Sequence, residues 1–258
     1  HLRPRRQRQM CIRDRFQTQA SFHRWLDQPV SLTREPGQTA MTPSRDPLGN
    51  FPTLSSGSSQ LAFVESRFPE TGNRELRRQA LKRTASLFPN DRTTVFWVGV
   101  NLASLDSEDN PVAGIKRIQP LLASFGADVP AADFAAGQFV LALCYENVAE
   151  HRPEAIAIFR ELIANEKARP ETRGGSAFRA AYIARTHGLE GLTSTELEKA
   201  FEIEAEVMPF LFGEWAALAV KEGEADKISQ RLKKTAAEDP GKALVFLSGL
   251  EVLSLIHI

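Results

Sequence analysis

From about residue 60 onward, apolar side chains recur three and four positions apart. Proline, glycine or Asn-Asp breakers interrupt them every 12 to 20 residues or so. That period places one apolar stripe on each of a series of helices. The first clear stripe is Leu76, Ala80, Leu81, Thr84, Leu87 and Phe88, predicting a helix over 73–88 that stops at Pro89-Asn90-Asp91. Residues 92–105 carry Val95, Val98, Leu102 and Leu105 on one face. The run Val95-Phe96-Trp97-Val98 would also suit a strand, but the apolar pattern extends past ten residues, which favours helix.

The pattern continues to the end of the chain. Asn110-Pro111 opens a segment to about 125, where Pro120 should kink or interrupt the helix. Helices are predicted over 131–149, with Phe134, Leu141, Cys144, Tyr145 and Val148 on its stripe, and from Arg152-Pro153 to about 168, with Ala155, Ile156, Phe159, Leu162 and Ile163 inward. Residues 171–187 follow, with Gly188 as C-cap. Thr193-x-x-Glu196 forms a capping-box pattern for a helix to about 206. The last three helices span 209–222, 224–238 and 242–252. Ten helices, short loops and almost no strand signal predict an all-α fold of successive antiparallel pairs.

The segment before this array reads differently. Residues 16–26 could form a short helix, but Pro29, Pro36, Pro43, Pro47 and Pro52 stand among many Ser, Thr and Gly. Such a stretch buries too little apolar surface to offset its ordering entropy, so 16–58 is expected to be linker or disorder and 59–252 the folded domain. Met41 is a candidate start codon within it.

Weak self-similarity runs through the array. Ala155-x-x-x-Phe159, Leu197-x-x-x-Phe201 and Ile228-x-x-x-Leu232 each lie in the second helix of a pair, and Leu197 and Ile228 each precede a proline by twelve residues. Leu141-Ala142-x-x-Tyr145, a turn, and then Ala155-x-x-x-Phe159 resembles the tetratricopeptide repeat, with Ala142 where that family has glycine. Phe159 to Phe201 is 42 residues and Phe201 to Leu232 is 31, around the family's period of ~34, and Gln138 stands where its tryptophan would. The resemblance covers roughly 73–252 and is most specific over 136–166. It implies a right-handed α-α superhelix of about five helix pairs whose first helices line a concave groove. By the same resemblance, Phe139, Leu143, Glu146 and Asn147 would line that groove and Asn147 would grip an extended peptide. Arg179 and Arg185 would stand in for the family's basic clamp.

Composition first reads as neutral, with 32 basic and 32 acidic residues and two cysteines, which excludes a disulfide-dense scaffold and a four-cysteine zinc site. The two ends change this. Arg5 to Asp14 (RRQRQMCIRD) reads as one translated frame of a transposase-type sequencing adapter, and Leu253 to Ile258 (LSLIHI) as the reverse complement of its terminal segment. Residues 1–15 and 253–258 are therefore expected to be adapter-derived, and the rest a piece of a longer reading frame. Without them 237 residues remain, with 26 basic and 31 acidic side chains, a net charge of −5 and Cys144 as the one cysteine. No apolar run reaches the length of a membrane span.

Candidate chemistry is sparse. The sequence lacks a phosphate-binding loop, a dinucleotide fingerprint and an H-E-x-x-H motif. Gly174-Gly175-Ser176 reads as a flexible loop or helix start. His151, between Glu150 and Glu154, reads as a solvated turn residue, His187 as a charge at a helix C-terminus, and Cys144 as a small buried thiol. Charge is uneven: Arg74, Arg77, Arg78, Lys82, Arg83 and Arg92 cluster over 73–92, with Arg74, Arg78 and Lys82 on one face, while five glutamates fall within 193–206. The expectation is a non-catalytic scaffold that binds a peptide or protein, with no cofactor and no metal. The alternatives are a nucleic-acid binder using the basic face and a docking or regulatory domain of a larger enzyme.

Overall fold

A computed structural model describes residues 48–49, 51–70, 72–126, 128–201 and 208–256, the side chains of 208–210 and 251–256 excepted. The segments 1–15 and 16–47 lie outside the described residues, as do 202–207, which were expected to complete the helix ending near 206. Among the described residues the fold is all-α, with eleven helices and no strand. The chain divides into two compact units, one ending at Leu105 and the other beginning at Asp106.

The first unit holds α1 (Gly57–Arg67), α2 (Arg74–Leu87) and most of α3 (Arg92–Asp109). Helix α1 is not among the predicted elements because its apolar stripe is thin and one of its buried side chains is a glutamine. Gln60 Nε2 donates to the Pro52 carbonyl at 3.0 Å, and its Oε1 accepts the Leu54 N–H at 2.9 Å. That amide satisfies two backbone groups that would otherwise be stranded beside the core. It holds the preceding segment in place, so Phe51 is buried and meets Phe63 edge-on at 5.7 Å. The boundary expected at residue 59 thus falls inside α1.

In α2 the stripe of Ala80, Leu81 and Thr84 is buried as read, and Asn73 caps the helix by accepting the Leu76 N–H at 3.0 Å. The Val95–Val98 run is helical, opened by Asp91, whose carboxylate accepts the Thr94 N–H at 3.1 Å. Helix α3 buries Phe96 and Val100 as well as Val98, Leu102 and Leu105, which explains why no single stripe dominates its sequence.

The second unit runs α4 (Pro111–Phe125), α5 (Ala131–Glu146), a 3-10 turn (Ala149–His151), α6 (Arg152–Ala164), α7 (Pro170–His187), α8 (Ser194–Ala200), α9 (Met208–Lys221), α10 (Ala225–Glu238) and α11 (Pro240–Ile256). Pro120 does not interrupt α4. It and Lys116 are both exposed, so the carbonyl deprived of its helical N–H can turn to water. Thr193 and Glu196 form the expected capping box. Gly188 caps α7 with φ of 65°, a left-handed conformation that suits glycine.

Each helix from α4 to α11 packs on its neighbour in the chain. In addition α5 packs on α7, α7 on α9, and α9 on α11. First helices therefore stack on first helices, and the second helices α6, α8 and α10 lie between them in sequence. The motif positions Ala155, Phe159, Leu197 and Phe201 are fully buried, and Ile228 and Leu232 pack half-buried against the same core. Ala142, in the place of the repeat glycine, is fully buried where α5 meets its neighbours.

Candidate binding face

Helices α5, α7 and α9 bring most of the predicted site residues into one region. Gly175 lies in the second turn of α7, inside the helix rather than in a loop or at its start. A Cβ there would lie 3.4 Å from the Phe139 ring, in ordinary contact, so Gly175 marks where α7 faces the Phe139 ring of α5. Phe139 also meets Phe159 edge-on at 5.5 Å, and Leu143 is buried in the same cluster. Both of these predicted groove residues therefore belong to the core or its border.

The remaining four are polar, and three of them, Glu146, Arg179 and Arg185, pair across helices. Arg179 Nη1 donates to Glu146 Oε1 at 2.9 Å, joining α7 to α5. Arg185 donates through Nε and Nη2 to both oxygens of Glu214, at 2.7 and 2.8 Å, joining α7 to α9. This fork geometry fits the planar guanidinium to the carboxylate. The Arg185 guanidinium also lies 5.7 Å from the Tyr182 ring centre. The two arginines expected as a basic clamp are thus already bound to carboxylates of this chain, and an incoming carboxylate would have to compete with them. Asn147 is exposed at the C-cap of α5, where its Nδ2 donates to the Leu143 carbonyl at 3.0 Å. That is a helix-capping contact, and it leaves the residue at the rim of the Glu146–Arg179 pair.

Sequence reasoning named Glu146 but missed Glu214, the carboxylate that holds Arg185. Glu214 is 4% exposed and pairs with Arg185. Its signal was available: it is the one charge in the run from Met208 to Val220. Asp133 and Arg169 form a further ion pair, and Arg231 lies 3.3 Å from Glu198, joining α10 to α8. The four pairs span 36, 33, 29 and 33 residues. These spans bracket the length of one two-helix unit.

The other candidates fall elsewhere. The Cys144 thiol is buried, and burial, with the Asp106 carboxylate adding to it, pushes its pKa up to about 12. It is a packed side chain and not a nucleophile at neutral pH. His151 stacks on Tyr145 with ring centres 4.9 Å apart and sits 3.5 Å from Glu154. Among the described residues no three His, Cys, Asp or Glu side chains converge to hold a metal, and no helix is long and apolar enough to cross a membrane.

The basic cluster of α2 is not one solvated face. Arg77 is 3% exposed; it donates to the Phe68 carbonyl at 2.6 Å and to Asn101 Oδ1 at 2.8 Å, with Glu70 at 3.7 Å. Arg74 Nη2 donates to the Leu105 carbonyl, and the Arg83 guanidinium lies over the Phe51 ring at 5.4 Å. Arg78 is half-buried and Lys82 is exposed. Long cationic side chains cover apolar surface while their heads find acceptors, so a basic sequence cluster need not be a basic surface.

The fold and this face define a helical array whose first helices stack in series. Compared with known protein families, with curated proteins and with solved structures, the chain matches none.

Proposed function

We propose that residues 106–252 form a tetratricopeptide-like repeat that binds an extended segment of a partner protein along the stacked first helices α5, α7 and α9, without catalysis of its own. The observation that supports this reading is the stacking of first helix on first helix, with cross-helix ion pairs about one repeat apart. Stacked helix pairs of this kind expose one continuous face made of equivalent helices, and such faces take extended peptides. Glu146–Arg179 and Arg185–Glu214 then act as a rigid polar floor. Asn147 at its rim offers an amide that can pair with a peptide backbone.

Selection from a random peptide display library against the full chain tests the reading. The expected result is enrichment of a peptide family whose affinity falls at least tenfold in Asn147→Ala and not in Lys82→Glu. Failure to enrich any peptide, or affinity unchanged in Asn147→Ala, overturns it. The same protein titrated with single-stranded RNA at low salt addresses the nucleic-acid alternative, because phosphate contacts predict affinity that collapses as salt rises. The inward turn of Arg77 and the bond of Arg74 to the Leu105 carbonyl leave that alternative with fewer solvated cations than the sequence implies.

A further inference from the structure

Helix α7 opens toward water along one narrow strip. From Gly174 to Arg185 the positions that are not buried are Gly175, Phe178, Arg179, Tyr182 and Arg185, each of them half-buried. On a 100° helical wheel these fall within an arc of about 120°. The strip carries aromatic surface: the Phe178 and Tyr182 ring centres lie 5.9 Å apart at 30°. Gly175 adds no side chain to it, and the half-buried Phe139 ring of α5 lies beside Gly175. The charges of the strip are matched within the chain, Arg179 by Glu146 and Arg185 by Glu214. The carboxylates of both pairs are turned away from water: Glu214 is 4% exposed, and Glu146 gives Oε1 to Arg179 while its Oε2 is buried. Donors are more available. Arg179 carries N–H groups beyond the one that Glu146 takes. The Tyr182 hydroxyl has no hydrogen-bond partner among the described residues and is not sealed from water.

We propose, resting on the reading of this face as a peptide groove, that the segment it takes is rich in proline and lies in the polyproline II conformation, with Tyr182 as the residue that selects it. A strip with donors to give, and with its carboxylates already taken, suits a backbone that has carbonyls and few N–H groups. Proline supplies a carbonyl and no N–H. Polyproline II has no internal hydrogen bonds, so its carbonyls stay open to the Tyr182 hydroxyl and to Arg179. Its apolar rings cover aromatic faces, which is how aromatic-lined grooves take such segments. Any other extended segment brings an N–H at each residue. Each one turned to the strip would give up water with no carboxylate to replace it. The spacing fits as well. Packed helices lie ~8–10 Å apart, and polyproline II advances ~9 Å in three residues. A segment crossing from α5 to α7 therefore sets prolines three apart on Phe139 and Tyr182. Both ion pairs are neutral as units, so the segment needs no charge of its own.

Fluorescence anisotropy of a labelled decaproline peptide titrated with the full chain tests this. Saturable binding is expected, with little change between about 50 and 500 mM salt because no net charge is exchanged. A glycine-serine peptide of the same length should bind at least ~10-fold more weakly, and Tyr182→Ala should weaken decaproline by a similar factor. Tyr182→Phe keeps the ring and removes the hydroxyl; it should weaken binding about fivefold with the circular dichroism unchanged. Decaproline that does not bind, that binds no better than the glycine-serine peptide, or that binds both Tyr182 variants as it binds the parent overturns the proposal. The display selection separates this from failure of the groove itself. A proline-free peptide family that is enriched and weakened by Asn147→Ala keeps the groove and rejects the proline preference, whereas no binding by either route rejects both.

Discussion

Phe159→Ala is the most direct probe of the repeat core. The Phe159 side chain is fully buried within α6, where it occupies the large position of the Ala-x-x-x-Phe motif and meets Phe139 edge-on at 5.5 Å. Truncation removes the ring. The transfer free energy of the lost ring is on the order of 2–3 kcal/mol. The edge-to-face pair with Phe139 contributes about 0.5–1.5 kcal/mol more. The cluster that holds Phe159 is rich in alanine, Ala142, Ala155 and Ala180 among them, and such short side chains collapse little into a space, so a cavity remains and its cost adds. The expected loss is about 3–5 kcal/mol, or a fall in melting temperature on the order of 6–20 °C for a chain of this size. Urea denaturation followed by circular dichroism and by the fluorescence of Trp215, which lies in the same cluster, measures it. Leu244→Ala on the open face of α11 is the control and should stay within about 0.5 kcal/mol of the parent. A loss below about 1.5 kcal/mol in Phe159→Ala, with the denaturant slope unchanged, would refute the assignment of this residue as the core anchor of its repeat.

Three further outcomes are expected. Arg185→Ala leaves the Glu214 carboxylate buried without its partner and should cost about 3 kcal/mol, while Arg185→Met with Glu214→Leu should recover most of it; equal losses in the single and double variants would deny the pair its structural role. The Thr193 backbone N–H, helped by the Thr193 hydroxyl and by Arg160, holds the Glu196 carboxyl below its usual range. Its contribution to stability is therefore present above pH ~4.5 and lost as pH falls through the lowered value, and Glu196→Gln should flatten that part of a melting-temperature profile between pH 3 and 6 or so. Cys144, with its thiol pushed up to about 12, should resist a thiol reagent at pH 8 in the native chain and react in urea, and rapid native labelling would contradict its burial.

Much of the helical skeleton is legible in the sequence because its causes are local. Asn73, Asn110, Thr193 and Gly188 cap helices with groups that lie within a turn of the ends they satisfy. The stripe on α6 reads directly onto its buried face, since Ala155, Ile156, Phe159 and Leu162 are all covered. Helix α5 reads less well: of the expected stripe Cys144 is buried but Phe134, Leu141, Tyr145 and Val148 are half-buried, and Ala135, Val140, Ala142 and Leu143 are buried as well. A first helix in a stack is covered by neighbours on several sides, so no single stripe identifies its inner face.

The sequence by itself determined where most of the helices start and stop and that they pair in succession. Those outcomes depend on spacings of a few residues. Only the tertiary structure decided which charges are surface and which are joints. Arg77, Arg179 and Arg185 look like any solvated arginine along the chain, yet each is held by acceptors 9 to 33 residues away in sequence. A charge in a low-dielectric setting is tolerable only beside its partners: a glutamate on another helix for Arg179 and Arg185, and the Phe68 carbonyl with the Asn101 side chain for Arg77. The same holds for α11, whose apolar outer side is exposed because α9 and α10 cover only the other.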